Sequence, residues 1–256
     1  MPRMWAYVPK EIMGNNFSDV TVTGCSLEAA TYAVENWHYS EGLPSGKLIK
    51  IGIWEGQPQE FIGCIIFSRG ASPWLGTPYD LQQNQLCELT RIAMRHDHKV
   101  PVTYVVAKAL KMLKEKNRNI QLVFSFADPD QGHHGGVYQA GNWIYAGVTG
   151  TSPMYYINGK WTHNRTVASK MKNGSLRPDF YQWAKETNRT RMPPPKHRYL
   201  YPFNRKLRKK ILEEQYDPNK PHAVEVSTSD TSSILDEGAG AIPAHRSTIA
   251  TDNSVH

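Results

Sequence analysis

The sequence predicts an α/β fold: a mixed, mostly antiparallel sheet with a central parallel pair of strands and flanking helices, continued by a basic extension and an acidic tail. Three observations carry this expectation. Strand-like and helix-like stretches succeed one another as strand, helix, several strands joined by turns, then strand, helix, strand, helix, strand. The apolar runs that begin at Leu86 and Leu122 are joined by one amphipathic helix, and a right-handed crossover of that kind makes the two strands parallel. Charge, finally, is divided along the chain: residues 1–157 hold 13 basic and 13 acidic side chains, residues 158–216 hold 15 and 4, and residues 217–256 hold 2 and 6. The net +7 therefore conceals a basic module. A core over 1–157, an extension over 158–216 and a tail over 217–256 are the expected parts.

In order, a strand is expected around Asp19 to Thr23 and a helix over Leu27 to Trp37, with Ser26 as an N-cap whose hydroxyl accepts from an orphan N–H. Strands follow over Leu48 to Trp54 and Phe61 to Ser68, joined by the turn-forming EGQPQ. Residues 70–85, with Pro73, Gly76 and Pro78, read as a long loop of the kind kept for binding. In CELTRIAM, period two puts Glu88 and Thr90 on one face and Arg91 on the other, so one face should line a cleft. Val102, Val105, Val106, Ala109, Leu110 and Leu113 then recur at helical spacing, with Pro101 in the first turn, where its missing N–H costs nothing.

Between the apolar runs Leu122 to Phe126 and Trp143 to Val148 lies the densest chemistry. Pro129 holds Asp128 extended, and Asp130, Gly132, His133, His134, Gly135 and Gly136 follow, too glycine-rich a run to serve packing. A short helix from Gly136 would bring these carboxylates and imidazoles to a helix N-terminus, a place that holds anions and perturbs pKa values.

The extension opens with a hairpin, Met154 to Trp161, turning at Asn158-Gly159 in the type I′ manner. A short helix over Pro178 to Glu186, the stiff connector RMPPP, a strand in KHRYLYPF and a basic helix from Arg205 to Lys210 follow. Cations interleaved with Trp161, Phe180, Tyr181, Trp183, Tyr199, Tyr201 and Phe203 suit phosphate contact and base stacking, so nucleic acid is the expected partner, double-stranded DNA in the family resemblance given below. Its contacts are expected from Arg165, Lys196, His197, Arg198, Tyr199, Arg205, Arg208 and Lys209. From Asp217 the chain has no aromatic residue and is rich in Ser, Thr, Asp and Gly, a composition that predicts disorder.

Cys25, Cys64 and Cys87 show no CxxC spacing, which points away from a disulfide framework or a zinc cluster. No apolar run reaches membrane-spanning length, and MPRMWAYVPKEIM lacks the apolar core of a signal peptide. A soluble cytoplasmic protein is expected, and a dimer is compatible with the sequence.

Six short motifs occur in a fixed order: His38-Tyr39-Ser40; Glu88-Leu89-Thr90-Arg91; Phe126-Ala127-Asp128-Pro129 through Gly132-His133; Val137-Tyr138-Gln139-Ala140; Asn142-Trp143 with Tyr145 and Gly147; and Lys196-His197-Arg198-Tyr199. In this succession the chain resembles the Mom family of phage DNA-modification proteins. The resemblance implies an acyltransferase-like fold, whose central parallel strands splay apart to admit a small-molecule donor. It implies conversion of adenine in DNA to N6-carbamoylmethyladenine, which shields phage DNA from host restriction, with iron and with acetyl-CoA or another acyl or glycyl donor. The pyrophosphate signature of acyl-CoA enzymes, Gln/Arg-x-x-Gly-x-Gly/Ala, is missing from RHDHKVPVTYVVAKAL. Two alternatives stand beside this reading: an acyl-CoA-dependent N-acyltransferase acting on a small amine or protein, and a non-catalytic DNA-binding protein.

The lone pair of adenine N6 is delocalised into the ring, so N6 attacks only when a neighbour accepts its proton, a task that suits Asp128. The base must first leave the duplex and be stacked, for which Tyr39, Tyr138 and Trp143 are candidates. Arg91 would hold an anionic donor or a developing oxyanion. Catalytic roles thus fall to Asp128, Arg91, Tyr138, His38 and Tyr39, and donor contacts to Glu88, Thr90, Arg91 and Ser125. For iron, His38, Asp128, Asp130 and His133 are the available ligands.

Overall fold

A computed structural model describes residues 17–70 and 73–215. A seven-stranded sheet in the order β1-β2-β3-β4-β5-β10-β6 organises the chain. Its strands are β1 (Val20–Gly24), β2 (Leu48–Glu55), β3 (Glu60–Ser68), β4 (Leu86–Met94), β5 (Leu122–Ala127), β6 (Ile144–Val148) and β10 (His197–Pro202). Every neighbouring pair is antiparallel except β4 and β5, the pair joined by helix α2 (Val102–Lys116).

Alternation along β5 sorts the two layers that cover this sheet. Val123 and Ala127 enter the cluster built by Val105, Val106, Ala109, Leu110 and Leu113 of α2. Leu122 and Phe124 instead meet Leu207 and Ile211 of the last helix, α6 (Arg205–Gln215). Helix α1 (Leu27–Trp37) packs Ala30, Ala33 and Val34 on Cys64, Ile66 and Ala93. It lies on the α6 side, since Ile65 and Phe67 belong to the α2 cluster. Ser26 caps α1 as expected, accepting from Ala29 N–H at 3.1 Å.

Strands β4 and β5 pair only at Leu86, Cys87 and Glu88. Beyond Glu88 each follows its other neighbour, β4 staying with β3 as far as Met94 and β5 with β10 as far as Ala127. A bulge helps them part: the register slips where Leu89 and Arg91 face Phe67 and Ile66, and an extra residue bends the strand that holds it. Between the parting strands a cleft opens. The bulge also interrupts the alternation expected in CELTRIAM, so Glu88, Leu89, Thr90, Arg91 and Ile92 all reach that cleft.

The part expected as an extension is not a separate layer. Strand β10 sits inside the sheet, between β5 and β6, and everything from the end of β6 to Lys196 is an insertion looped out between two sheet neighbours. That insertion holds its own three-stranded sheet, β8-β7-β9, from β7 (Met154–Ile157), β8 (Lys160–His163) and β9 (Thr190–Arg191). Two helices accompany it, α4 (Asn164–Lys172) and α5 (Phe180–Glu186), around a small core of Tyr155, Val167, Phe180 and Ala184. Asn158 and Gly159 turn the β7–β8 hairpin at φ +49° and +80°, the two positive values of a type I′ turn. The run expected as a binding loop at 70–85 instead forms 3-10 turns at Pro73–Tyr79 and Gln83–Gln85, with Leu75, Tyr79 and Leu81 packed on the α6 side. The expected tail at 217–256 lies outside the described residues.

One glycine is fixed by both geometry and space. Gly135 adopts φ +80°, and a Cβ there would come within 2.3 Å of the Tyr199 hydroxyl. Gly135→Ala should therefore cost about 2–4 kcal/mol, combining left-handed strain with overpacking, read as a lowered urea midpoint. Gly132→Ala, where φ is +72° but space is open, should cost about 1 kcal/mol.

Candidate active site

The cleft measures about 710 Å³, within the roughly 300–1,000 Å³ of small-molecule sites. Its walls come from the end of α1 with His38 and Tyr39, strand β4 with His96 and Val102 after it, Phe126 and Ala127, the run from Gln131 to Tyr138, and Lys196.

Asp128 ends β5 and is nearly buried, 9% exposed. Its Oδ1 accepts from Asp130 N–H at 3.1 Å, and its backbone carbonyl accepts from Gln131 and His133 N–H at 3.0 and 3.1 Å, so the loop is tied around it. Oδ2 lies 2.7 Å from Lys196 Nζ. Asp130 is held by Arg191 through two parallel bonds of 2.9 and 2.5 Å, the fork-on-carboxylate geometry that Lys cannot reproduce. Both cations belong to the insertion, one at each end of the Met192-Pro193-Pro194-Pro195 connector.

A second polar line crosses the floor. Ser125 Oγ lies 2.8 Å from Leu89 O and 2.7 Å from the Tyr138 hydroxyl. The carbonyl can only accept, so Ser125 donates to Leu89 and the Tyr138 hydroxyl can donate to Ser125. Burial pushes the Tyr138 phenol up to about 12, keeping it protonated. Tyr138 stacks on Tyr199, 5.0 Å between ring centres, and meets Trp143 edge-on.

Arg91 donates Nε–H to Gly42 O at 3.2 Å and Nη1–H to Thr90 O at 2.8 Å, pinning the loop after α1 onto β4. That leaves three of its five N–H groups for a ligand. His38 stacks on Tyr39 at 4.4 Å, and Tyr39 leans on His133 at 5.5 Å, forming an aromatic rim in which Tyr39 is half exposed. Burial, then the charges of Arg91 and His133, lowers the His38 pKa to about 4. The imidazole is neutral at physiological pH, and its Nδ1 accepts from Ser40 N–H at 3.1 Å. Nε2 therefore carries the proton and acts as a donor.

That tautomer bears on the iron expected from the family resemblance. A ligating nitrogen must offer a lone pair, Asp130 is committed to Arg191 and Asp128 to Lys196. No three His, Cys, Asp or Glu side chains among the described residues converge as a ligand set. The four expected ligands do not fit the metal in this arrangement.

Other expected residues are sorted by position. Arg91, Tyr138, His38, Tyr39, Glu88, Thr90 and His133 line one cleft, with Ser125 bonded beneath it, whereas Asp128 lies behind that lining, paired with the cleft residue Lys196. Trp143 is only 6% exposed, and Tyr199 only 2% while bonding to His134 O and Gln139, so neither can stack on or touch a nucleic acid. Lys196, expected at DNA, is a cleft residue. Arg198 is half-buried, bonded to Tyr79, and Arg208 grips Asn142, both away from the cleft on the layer of α6; Arg205 and Lys209 are exposed on that helix. His197 bonds Tyr145 at 3.2 Å within the sheet. Helix α3 (Gly136–Ala140) has five residues, too short to offer the anion-holding terminus anticipated for it. Arg191 and helix α4 escaped the sequence reading; the spacing of Val167 and Met171 was the available signal for α4.

Two measurements follow. Arg191→Ala should lower stability by roughly 1–3 kcal/mol in urea melts, because it strands a largely buried carboxylate, whereas Lys160→Ala, which breaks the exposed pair with Glu41, should change it by less than about 0.5 kcal/mol. His38 titrates lower folded than unfolded, so the unfolded chain takes up its proton first and stability is lost as pH falls from about 6.5 towards 4. His38→Gln should flatten the slope of melting temperature against pH in that window and leave it unchanged above pH 7.

Comparison with known proteins places this geometry. The chain is 25% identical over 207 residues to the methylcarbamoylase mom of Escherichia phage Mu, covering 78% of this chain and 83% of that one. Among solved structures, spermidine N-acetyltransferase from Vibrio cholerae, in complex with CoA and spermine, aligns at a TM-score of 0.42 and 10% identity, over 72% of this chain and 96% of that one. Ribosomal-protein-S5-alanine acetyltransferase from Vibrio fischeri aligns at 0.41 and 10%, over 75% and 97%. The Mom protein family model matches residues 19–219, and the chain belongs to that family.

Proposed function

We propose that the protein modifies adenine in DNA, converting it to N6-carbamoylmethyladenine and so protecting phage DNA from host restriction. The observation that supports this most is Asp128, a nearly buried carboxylate paired with Lys196, a residue of the open cleft, in a chain of the Mom family.

An adenine leaving the duplex is flanked at the rim by Tyr39, whose half-exposed ring is backed by His38. Stacking there holds the base with N6 directed inward. Each Asp128 oxygen already accepts one bond, and a carboxylate oxygen has room for a second, so Asp128 takes the N6 proton and leaves the lone pair on nitrogen as N6 bonds to the donor's reactive carbon, while the bond from that carbon to the donor's leaving group breaks and its electron pair departs with the leaving group. Lys196 fixes the carboxylate's orientation. Neutral His38 offers its Nε2–H to the base or the donor without adding charge, and the Tyr138 hydroxyl, whose proton goes to Ser125, can accept a bond there. The free N–H groups of Arg91 face a donor lying between the parted strands and stabilise negative charge that develops on it. The donor is a small molecule whose reactive carbon reaches N6 from the β4 side.

Plasmid DNA from cells expressing the protein, digested to nucleosides, should contain a deoxyadenosine heavier by the carbamoylmethyl group in mass spectrometry. Asp128→Asn, matched in shape, should reduce that conversion about 10²- to 10⁴-fold. Unmodified deoxyadenosine in cells rich in folded protein contradicts the reading; parental conversion by the Asn variant removes Asp128 from the mechanism.

A further inference from the structure

The insertion does more than close the cleft. Residues 149–196 hold nine basic and two acidic side chains, a surplus equal to the net charge of the whole chain. Three of those cations pair with residues outside the insertion: Lys160 with Glu41 after α1, Arg191 with Asp130 and Lys196 with Asp128. Of the three, Lys196 lines the cleft. Others point elsewhere: Arg165, Lys172 and Arg189 are exposed.

Trp161 stands at the border between these two groups. It lies on β8, the edge strand of the small sheet, two residues past the Gly159 turn, and is 39% exposed. Its ring is held from within: the Arg191 guanidinium sits 4.8 Å from its centre and Tyr156 meets it edge-on at 5.3 Å. Arg191 is the residue that grips Asp130, so a single guanidinium separates the indole from the loop carrying Asp128. A large apolar ring is thus fixed, partly bare, against the guanidinium that grips Asp130.

Extruding a base leaves a gap in the stack that costs a few kcal/mol, and proteins that deform duplexes offset it by inserting an apolar side chain. Tyr39 cannot do both tasks, because its ring stacks on His38 at the rim where the extruded base must lie. We infer that Trp161 takes the place of the extruded adenine in the duplex, while exposed cations of the same insertion hold the flanking phosphates. The inference rests on the DNA reading above and assigns DNA contact to the insertion rather than to α6.

Full-length protein is titrated into a short duplex carrying 2-aminopurine, which brightens when unstacked, at an adenine position found modified in plasmid DNA. The parent should brighten the probe. Trp161→Ala should bind the duplex yet brighten it roughly tenfold less, Trp161→Phe should keep most of the response, and an abasic site opposite the probe should restore the alanine variant relative to the free duplex. Replacing Arg165, Lys172 and Arg189 together by Ala should flatten the log–log salt dependence of binding by about 0.9 per lost phosphate contact, while the same change at Arg205 and Lys209 should not. Brightening by Trp161→Ala equal to the parent's, or an unchanged salt slope in the triple variant, overturns the inference. If the parent modifies deoxyadenosine in cells while these variants behave as parent, the inference alone falls; if it modifies none, the DNA reading falls with it.

Discussion

Two ion pairs hold this site together. Asp128 and Asp130 stand two residues apart on the loop that leaves β5, and each is met by a cation from the insertion, Lys196 and Arg191. Breaking such a pair leaves a carboxylate largely out of water without its partner, which costs far more than the pair itself contributes. The loop therefore depends on the insertion for its order. With the insertion docked its carboxylates are fixed and aimed; with the insertion displaced they would have to swing outward to be solvated. The insertion and the loop that carries Asp128 are in this way one mechanical unit, although the chain between Asp130 and Arg191 spans two sheets.

Much of the frame was legible in the sequence because it follows from periodicity. The α2 stripe, the Ser26 cap, the Asn158-Gly159 turn and the parallel β4–β5 pair all express local rules, and local rules decided them. The motifs around Asp128 were legible as chemistry because glycines and charges at that density serve no core. What escaped reading depends on contacts between distant residues. The position of β10 between β5 and β6 is set by pairing across some fifty residues of insertion, which no window reveals. Counting charge assigned residues 158–216 to one surface, yet β10 buries Tyr199, Lys196 pairs with Asp128 and Arg191 closes on Asp130. The bulge in β4 was likewise invisible, because Thr90 reads as an ordinary strand residue until its opposite neighbour is known.

The cleft's electrostatics follow from the same arrangement. Its cations, Arg91 and Lys196, answer backbone carbonyls and a carboxylate, and Tyr138 and His38 are held uncharged by burial. Such a site can offer hydrogen bonds to a neutral nucleobase without strong bias for charge. A donor with an anionic or carbonyl group would find its attraction concentrated at Arg91.

The central claim is that the Asp130–Arg191 pair joins insertion and catalytic loop into one working unit. Reversing the pair tests it most directly, by measuring adenine modification of plasmid DNA with Asp130→Arg, with Arg191→Asp and with both. Each single change places like charges face to face and should abolish detectable modification, whereas the double change restores opposite charges and should recover a substantial part of it. Parental modification by either single variant would contradict the account.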